Sequence, residues 1–268
     1  MKLIFAPLFS GSSGNSTYIS AGGTSVLVDA GVSCLKITNE MKKFGAAPDG
    51  LQGLLITHEH SDHVHGAGIL ARKFGIPIYA TEGTWEAAKG KLGEIAPQNM
   101  RIIEAGHPFT IGELDIYPFT IPHDAADPVG YAVSHHGIKV CIATDMGHMS
   151  KACFEAVHGS DLLLLESNYD VDMLEAGRYP FDLKKRILGR KGHLSNDDAA
   201  DAVVRLYADG VKNIILGHLS KENNFPDLAW ETTAEMLRSA GIAPGSDMSL
   251  ALAGRDGLSG VFELSKEA

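Results

Sequence analysis

The segment His58-Glu59-His60-Ser61-Asp62-His63 constrains this chain more than any other. It sets three imidazoles and a non-adjacent carboxylate within six residues, directly after the apolar run 53–57, which reads as a short strand. Residues 64–74 then read as a helix ended by Gly75, and 76–80 as the next strand. A strand, a His-rich loop, a helix and a second strand form a βαβ signature, so the loop belongs to an α/β protein and sits at the end of a strand. On such a loop His58 and His60 can point one way and Asp62 and His63 another. Two clusters of nitrogen and oxygen donors suit two divalent metals side by side. Six residues do not complete two coordination spheres, so further His or carboxylate ligands must come from elsewhere.

The remaining pattern supplies them. Strands are expected at 3–9, 17–20 and 24–28, followed by a helix over 33–44 with Gly45 as its C-cap. The middle of the chain is strand-rich (101–104, 113–120, 129–134 and 139–144), with Ser134-His135-His136-Gly137 as a hairpin turn. An apolar strand over 161–166 ends in Glu166. Ser195 caps a helix running to 208, with Asp198 as its capping partner. A strand at 213–216, a helix over 227–240 and strands at 248–253 and 258–264 complete the reading. No Pro/Gly linker divides the chain, which reads as one domain, 1–268. Asp29, His58, His123, Asp145, Glu166 and His218 each come at the end of a strand, and polar residues at strand ends converge on the rim where α/β folds place ligands.

The formal net charge of −10 excludes nucleic-acid binding through the overall field; a polyanion must be held by a local basic patch or by metal ions. Such a patch exists. Lys184, Lys185, Arg186, Arg190 and Lys191 make five of the eight residues 184–191 basic, immediately before His193. A solvated helix face and a backbone-phosphate contact are both open for this run. Cys34, Cys141 and Cys153 form no CxxC pair and give no disulfide framework, as expected of buried thiols in a reducing cytoplasm. The apolar run 3–9 is too short for a signal peptide and no stretch reaches transmembrane length, so a soluble cytoplasmic protein without membrane contact is expected. His65 is expected on a helix surface, and His107, His135, His136, His148 and His158 are expected to be solvated.

In order along the chain, Asp29, the HEHSDH run, His123, Asp145 and His218 resemble the five motifs of the metallo-β-lactamase superfamily, over nearly the whole sequence. The resemblance implies a four-layered αββα sandwich with the site at one edge of the two sheets. It implies that His58, His60 and His123 hold one metal, that Asp62, His63 and His218 hold a second, and that Asp145 bridges them. Asp29 would support the histidine loop without binding metal. Site chemistry alone leaves β-lactam, thioester, lactone and phosphodiester hydrolysis open.

The element Gly192-His193-Leu194-Ser195 resembles the extra-histidine motif of ribonuclease Z-type enzymes, which implies that His193 assists the leaving oxygen and Glu166 orients it. Asp62 is counted with these two as catalytic. Three stretches, SGSSGNSTYI, HDAADPVGYA and ESNYD through GHLSN to GHLSKENN, resemble the YycJ/WalJ/VicX group of the superfamily. That resemblance implies 5′-to-3′ exonuclease action on double-stranded DNA, with water activated between two divalent ions (Zn, Mn or Fe) and Asn168 and Asn223 as substrate contacts. The Gly/Ser loop 10–16 reads as a plain turn or as a phosphate cradle. The alternative reading is a small-molecule hydrolase of the same fold, acting on a cyclic phosphodiester, lactone or thioester.

Overall fold

The computed structural model describes residues 2–266. Two seven-stranded sheets are present. The first runs, in spatial order, Phe262–Ser265, Lys2–Phe9, Ser16–Ala21, Thr24–Val28, Gly53–Leu55, Ile78–Thr81 and Met100–Ile103. The second runs Ser249–Leu252, Asn213–Gly217, Leu162–Glu166, Ile138–Ala143, Val129–His135, Leu114–Thr120 and Phe109–Ile111. Each sheet is antiparallel on one side, where hairpins connect its strands, and parallel on the other, where helices cross over.

The central strands are apolar throughout because both of their faces are buried, and alternate residues feed different cores. Leu54 packs outward with Ile37, Met41, Leu70 and Trp85 of the helices, while its neighbour Leu55 packs inward against the second sheet. Leu163 and Leu165 face Cys153, Val203 and Leu237 of the opposite helical layer, and Leu162 and Leu164 face the first sheet. Each such leucine contributes on the order of 1.5–3 kcal/mol by burial. Three cores between four layers make the αββα sandwich. Among the described residues, no helix is long and apolar enough to cross a membrane.

The strand Phe109–Ile111 was not expected, and the last strand spans Phe262–Ser265 and not 258–264; four further differences stand out. The helix expected over 64–74 is broken into Ser61–Val64 and Ala67–Phe74, because Gly66 lets the chain pass so close to the Val32 carbonyl that a Cβ would stand 2.1 Å from it. The helix Glu82–Leu92 was not expected; it holds Gly83 and Gly90, and its buried stripe is Thr84, Trp85, Ala88 and Leu92. Three shorter helices, Lys151–Val157, Val171–Ala176 and Phe181–Ile187, lie where loops or a charged run were read. His135 is buried and not solvated, its Nδ1–H donating to the Glu113 carbonyl at 3.0 Å.

Candidate metal centre

The parallel strands of both sheets end on one rim, and several of them leave it through a sharp turn. Asp29, Asp145 and His218, each just past a strand, have φ of 61°, 60° and 55°. Non-glycine residues rarely enter this left-handed region, which costs on the order of 1–3 kcal/mol per residue. Here the turn brings each side chain into the centre. Two glycines bring the loops together: a Cβ on Gly31 would stand 1.6 Å from the Asp62 carbonyl, and one on Gly14 would stand 2.3 Å from Val32 Cγ1. The bonds Asn15 N–H to Asp62 O and Gly31 N–H to Asn15 O, both 2.8 Å, fasten that contact.

The side chains form two adjoining clusters. His58, His60 and His123 each offer a ligand atom within 4.8 Å of the others, and so do Asp62, His63, Asp145 and His218. His123 Nε2 lies 3.2 Å from His60 Nδ1. In the second cluster His63 Nε2 is 3.3 Å from Asp145 Oδ2 and 3.5 Å from Asp62 Oδ2, and His218 Nε2 is 3.4 Å from Asp145 Oδ1 and 3.6 Å from Asp62 Oδ2. Asp145 also approaches the first cluster, with Oδ1 4.0 Å from His123 Nε2. It therefore stands between the two.

A shell of hydrogen bonds fixes which nitrogen of His58, His63, His123 and His218 faces inward. His63 Nδ1–H donates to Asp29 Oδ2 at 2.7 Å, His123 Nδ1–H to the Gly192 carbonyl at 3.1 Å, and His218 Nδ1–H to Glu166 Oε1 at 2.8 Å. Thr57 Oγ1 donates to Asp29 Oδ2 at 2.8 Å and lies 3.0 Å from His58 Nδ1. The inward atoms His58 Nε2, His218 Nε2 and Asp145 Oδ2 are buried without a hydrogen-bond partner among the described residues. Folded proteins pair most of their buried polar atoms, and the others left without a partner here, Ser16 Oγ, Glu59 Oε2, Ser160 Oγ and Thr233 Oγ1, do not gather at one point as these three do. Orphaned nitrogens and a carboxylate oxygen converging from outer-bonded ligands are what a divalent cation satisfies, and the donor set fits one.

The two clusters differ electrostatically. Burial disfavours the imidazolium form of His58, His60 and His123, and neighbouring histidines add to it, so their pKa values lie below the usual histidine value. Burial also opposes charging of His63 and His218, but carboxylates outweigh it. Asp145, Asp29 and Asp62 raise His63 well above the ordinary value, and Asp145, Asp62 and Glu166 push His218 up to about 10. Asp145, though buried, and the partly exposed Asp62 are held below the usual carboxylate range by these imidazoles.

His193 lies at the rim with 18% of its side chain exposed, and its Nδ1–H donates to Glu166 Oε1 at 2.7 Å. Burial works against its charged form, but the Glu166 and Asp145 carboxylates raise its pKa overall. Glu166 is fully buried; its other oxygen accepts the Met146 and Leu194 N–H groups at 2.8 and 3.2 Å. The Glu166–His218 bond was not anticipated from sequence, nor were the roles of Thr57, Asn15 and Ser10, whose Oγ accepts the His218 N–H at 2.9 Å. Asn15 Nδ2 stands 3.1 Å from His63 Nε2. The only advance signal for Asn15 was its place in the Gly/Ser loop.

Some expected substrate contacts are not brought to the open face of the site. Asn168 is buried and donates to the His218 carbonyl at 2.7 Å; Asn223 is buried as well, its carbonyl accepting the Asp170 N–H at 2.9 Å. Lys184 donates to the Glu175 carbonyl at 2.7 Å, and Arg190 Nη2 lies 3.3 Å from His148 Nε2. Arg186 clamps Asp124, the residue after His123, with both oxygens engaged. Lys185 and Lys191 are exposed.

Residues 24–218 match the family model described as a beta-lactamase superfamily domain. The chain is 42% identical over 248 residues to exodeoxyribonuclease WalJ of Streptococcus pneumoniae serotype 2, covering 92% of both chains. It is 39% identical over 245 residues to exodeoxyribonuclease YycJ of Bacillus anthracis, covering 91% of this chain and 93% of the relative. Among solved structures, the metallo-beta-lactamase fold protein YhfI from Bacillus subtilis superposes with a TM-score of 0.73 at 17% identity, over 98% of this chain and all of that one, a likeness of fold.

Proposed function

Because this chain belongs to the beta-lactamase superfamily, and within it to the group of the exodeoxyribonucleases WalJ and YycJ, we propose that it is a metal-dependent nuclease that digests double-stranded DNA from 5′ ends. The observation that carries the reading is the adjacency of two His/Asp clusters to a rim histidine held by a buried carboxylate.

In this reading His58, His60 and His123 would hold one divalent ion and Asp62, His63 and His218 a second, with Asp145 between them available to both, and Zn, Mn and Fe are all compatible with the donors. When bound, two such ions lower the pKa of water and absorb charge on the oxygens of a phosphodiester. Asp29 keeps the Nδ1 of His63 protonated and so aims its Nε2 inward. Asp62, in the same cluster, acts at the reacting end of the site.

Glu166 fixes the Nδ1–H of His193, which leaves Nε2 for the substrate, and its charge shifts the ring towards the imidazolium form. A protonated Nε2 then gives its proton to the departing oxygen, as a general acid. Lys185 and Lys191, the exposed lysines of the basic run, hold backbone phosphates on the approach to His193, while Arg186 stays on Asp124. Three free, buried cysteines and a DNA substrate fit a reducing cytoplasm.

The test is digestion of end-labelled duplex DNA, single-stranded DNA, RNA and a chromogenic phosphodiester by Mn-reconstituted protein, with His193→Ala alongside. Stepwise loss from duplex 5′ ends that the variant lacks is the expected result. Cleavage of the small diester alone would refute the nuclease reading.

A further inference from the structure

A cavity of about 450 Å³ opens beside the metal centre, sharing Asp62 with it, and nothing in the proposed chemistry uses it. Its polar lining is Ser12, Ser13, Ser33, Ser61, Lys36 and His65. The hydroxyls of Ser12, Ser13 and Ser61 and the ammonium of Lys36 have no side-chain partner among the described residues. Four hydroxyls, an ammonium and an imidazole line it, open to solvent, and the one carboxylate, Asp62, belongs to the metal-ligand cluster. That chemistry suits a tetrahedral oxyanion.

The cavity is built by contacts and not left by chance between loops. Asn15 Oδ1 accepts the Gly11 N–H at 2.9 Å, the Gly14 N–H closes a turn on the Gly11 carbonyl at 2.9 Å, and the Asn15 N–H is tied to Asp62 O. Ser12 and Ser13 are thus carried on a turn fastened at both ends to buried backbone. The opposite wall, Ser33 and Lys36, starts the helix Cys34–Lys42, and Gly31 lies between them, packed so tightly on Asp62 and Asn15 that a Cβ would stand 2.6 Å from the Asn15 N.

Resting on the nuclease reading above, we propose that this cavity receives the terminal phosphomonoester of the strand being digested, the 5′-phosphate for 5′-to-3′ action, one nucleotide from the diester that is cut. A phosphomonoester presents three free oxygens where an internal diester presents two, and the six side-chain donors match the larger, more highly charged group. An occupied cavity places the first internal diester over the metal centre, so a strand end is selected by its phosphate.

The experiment measures kcat/KM on duplexes that differ only in bearing a 5′-phosphate, a 5′-hydroxyl or a 3′-phosphate with a 5′-hydroxyl. The Mn-loaded proteins are wild type, Lys36→Ala, Lys36→Arg and the double variant Ser12→Ala/Ser13→Ala. Rates are normalised to hydrolysis of bis(4-nitrophenyl) phosphate, which corrects for folding and metal loading. The expected result is at least a tenfold preference for the 5′-phosphorylated end. It should fall towards unity in Lys36→Ala and the double variant, mainly through KM, and be largely kept in Lys36→Arg. Equal rates on phosphorylated and hydroxyl ends, or variants that keep the full preference, overturn the proposal and leave the nuclease reading standing. A preference for the 3′-phosphate overturns the assignment to the 5′ end. If no duplex is cut while the small diester is, the nuclease reading fails and the pocket assignment falls with it.

Discussion

Glu166 Oε1 lies 2.7 Å from Nδ1 of His193 and, with the same oxygen, 2.8 Å from Nδ1 of His218. One buried carboxylate therefore governs both a rim histidine and a histidine of the metal cluster. His193→Ala is expected to lower kcat by about 10²–10⁴-fold on a phosphodiester with metal content unchanged. A general acid acts while protonated, so activity falls as pH rises through the His193 pKa, which Glu166 raises. Glu166→Gln should move that alkaline limb to lower pH, as kcat/KM against pH at matched metal content will show.

The three orphaned inward atoms bear on metal removal. Chelation should lower Tm, since binding to the folded state alone contributes about 2.7 kcal/mol at a hundredfold excess over Kd. For a chain of this size that is roughly 5–10 °C. Differential scanning calorimetry with and without chelator measures it. His60→Ala should abolish activity and reduce metal content, and Asp145→Ala should reduce it further because Asp145 faces both clusters.

The two clusters should take up metal with different proton counts. His58, His60 and His123 are neutral at pH 7, whereas His63 and His218 carry protons in the metal-free protein. Metal binds neutral imidazole, so filling the second cluster releases protons and its affinity climbs with pH, while the first is nearly indifferent above neutrality. Calorimetric titrations in buffers of different ionisation enthalpy count the protons released. In the metal-free protein the raised pKa values of His63 and His218 stabilise the fold fully below their unfolded value. That stabilisation is lost as pH rises towards about 10, the folded value of His218.

Asp29→Asn isolates the hydrogen bonds from the backbone, because asparagine also tolerates the left-handed region. Asp29 accepts from the Thr57 N–H, the Thr57 hydroxyl and His63 Nδ1–H. Losing an acceptor there should cost about 1–3 kcal/mol of stability and weaken metal binding by about 10–100-fold. Chemical denaturation and a competitive metal titration give the two values.

Lys185→Ala/Lys191→Ala should weaken duplex binding uniformly across sequences. If both contact phosphates, the slope of log K against log salt becomes shallower by about 2. Fluorescence anisotropy over a salt series is the measurement, and an unchanged slope would return these lysines to solvent.

The sequence made the centre legible because its residues sit at the ends of apolar strands, where local pattern is strong and topology does the gathering. The sandwich followed from the same strands. The illegible part depends on partners distant along the chain. Glu166 reaches His218 across 52 positions, and Arg186 reaches Asp124 across 62, leaving that arginine committed where a phosphate contact had been open. Asn168 read as a substrate contact and proved to be a buried brace for the His218 backbone. The helix Glu82–Leu92 escaped notice because its buried face is made mainly of small or polar residues and a tryptophan, without the repeating large aliphatics that announce a helix.

Asp29, Asp145 and His218 all hold torsion that glycine would relieve. A glycine there would ease the backbone and yet forfeit the hydrogen bonds of Asp29, the ion pairs of Asp145 and His218, and the metal that adds to the folded state. A laboratory selection for heat resistance should therefore leave these three codons alone even with no demand for catalysis, and collect its gains out in the helical layers.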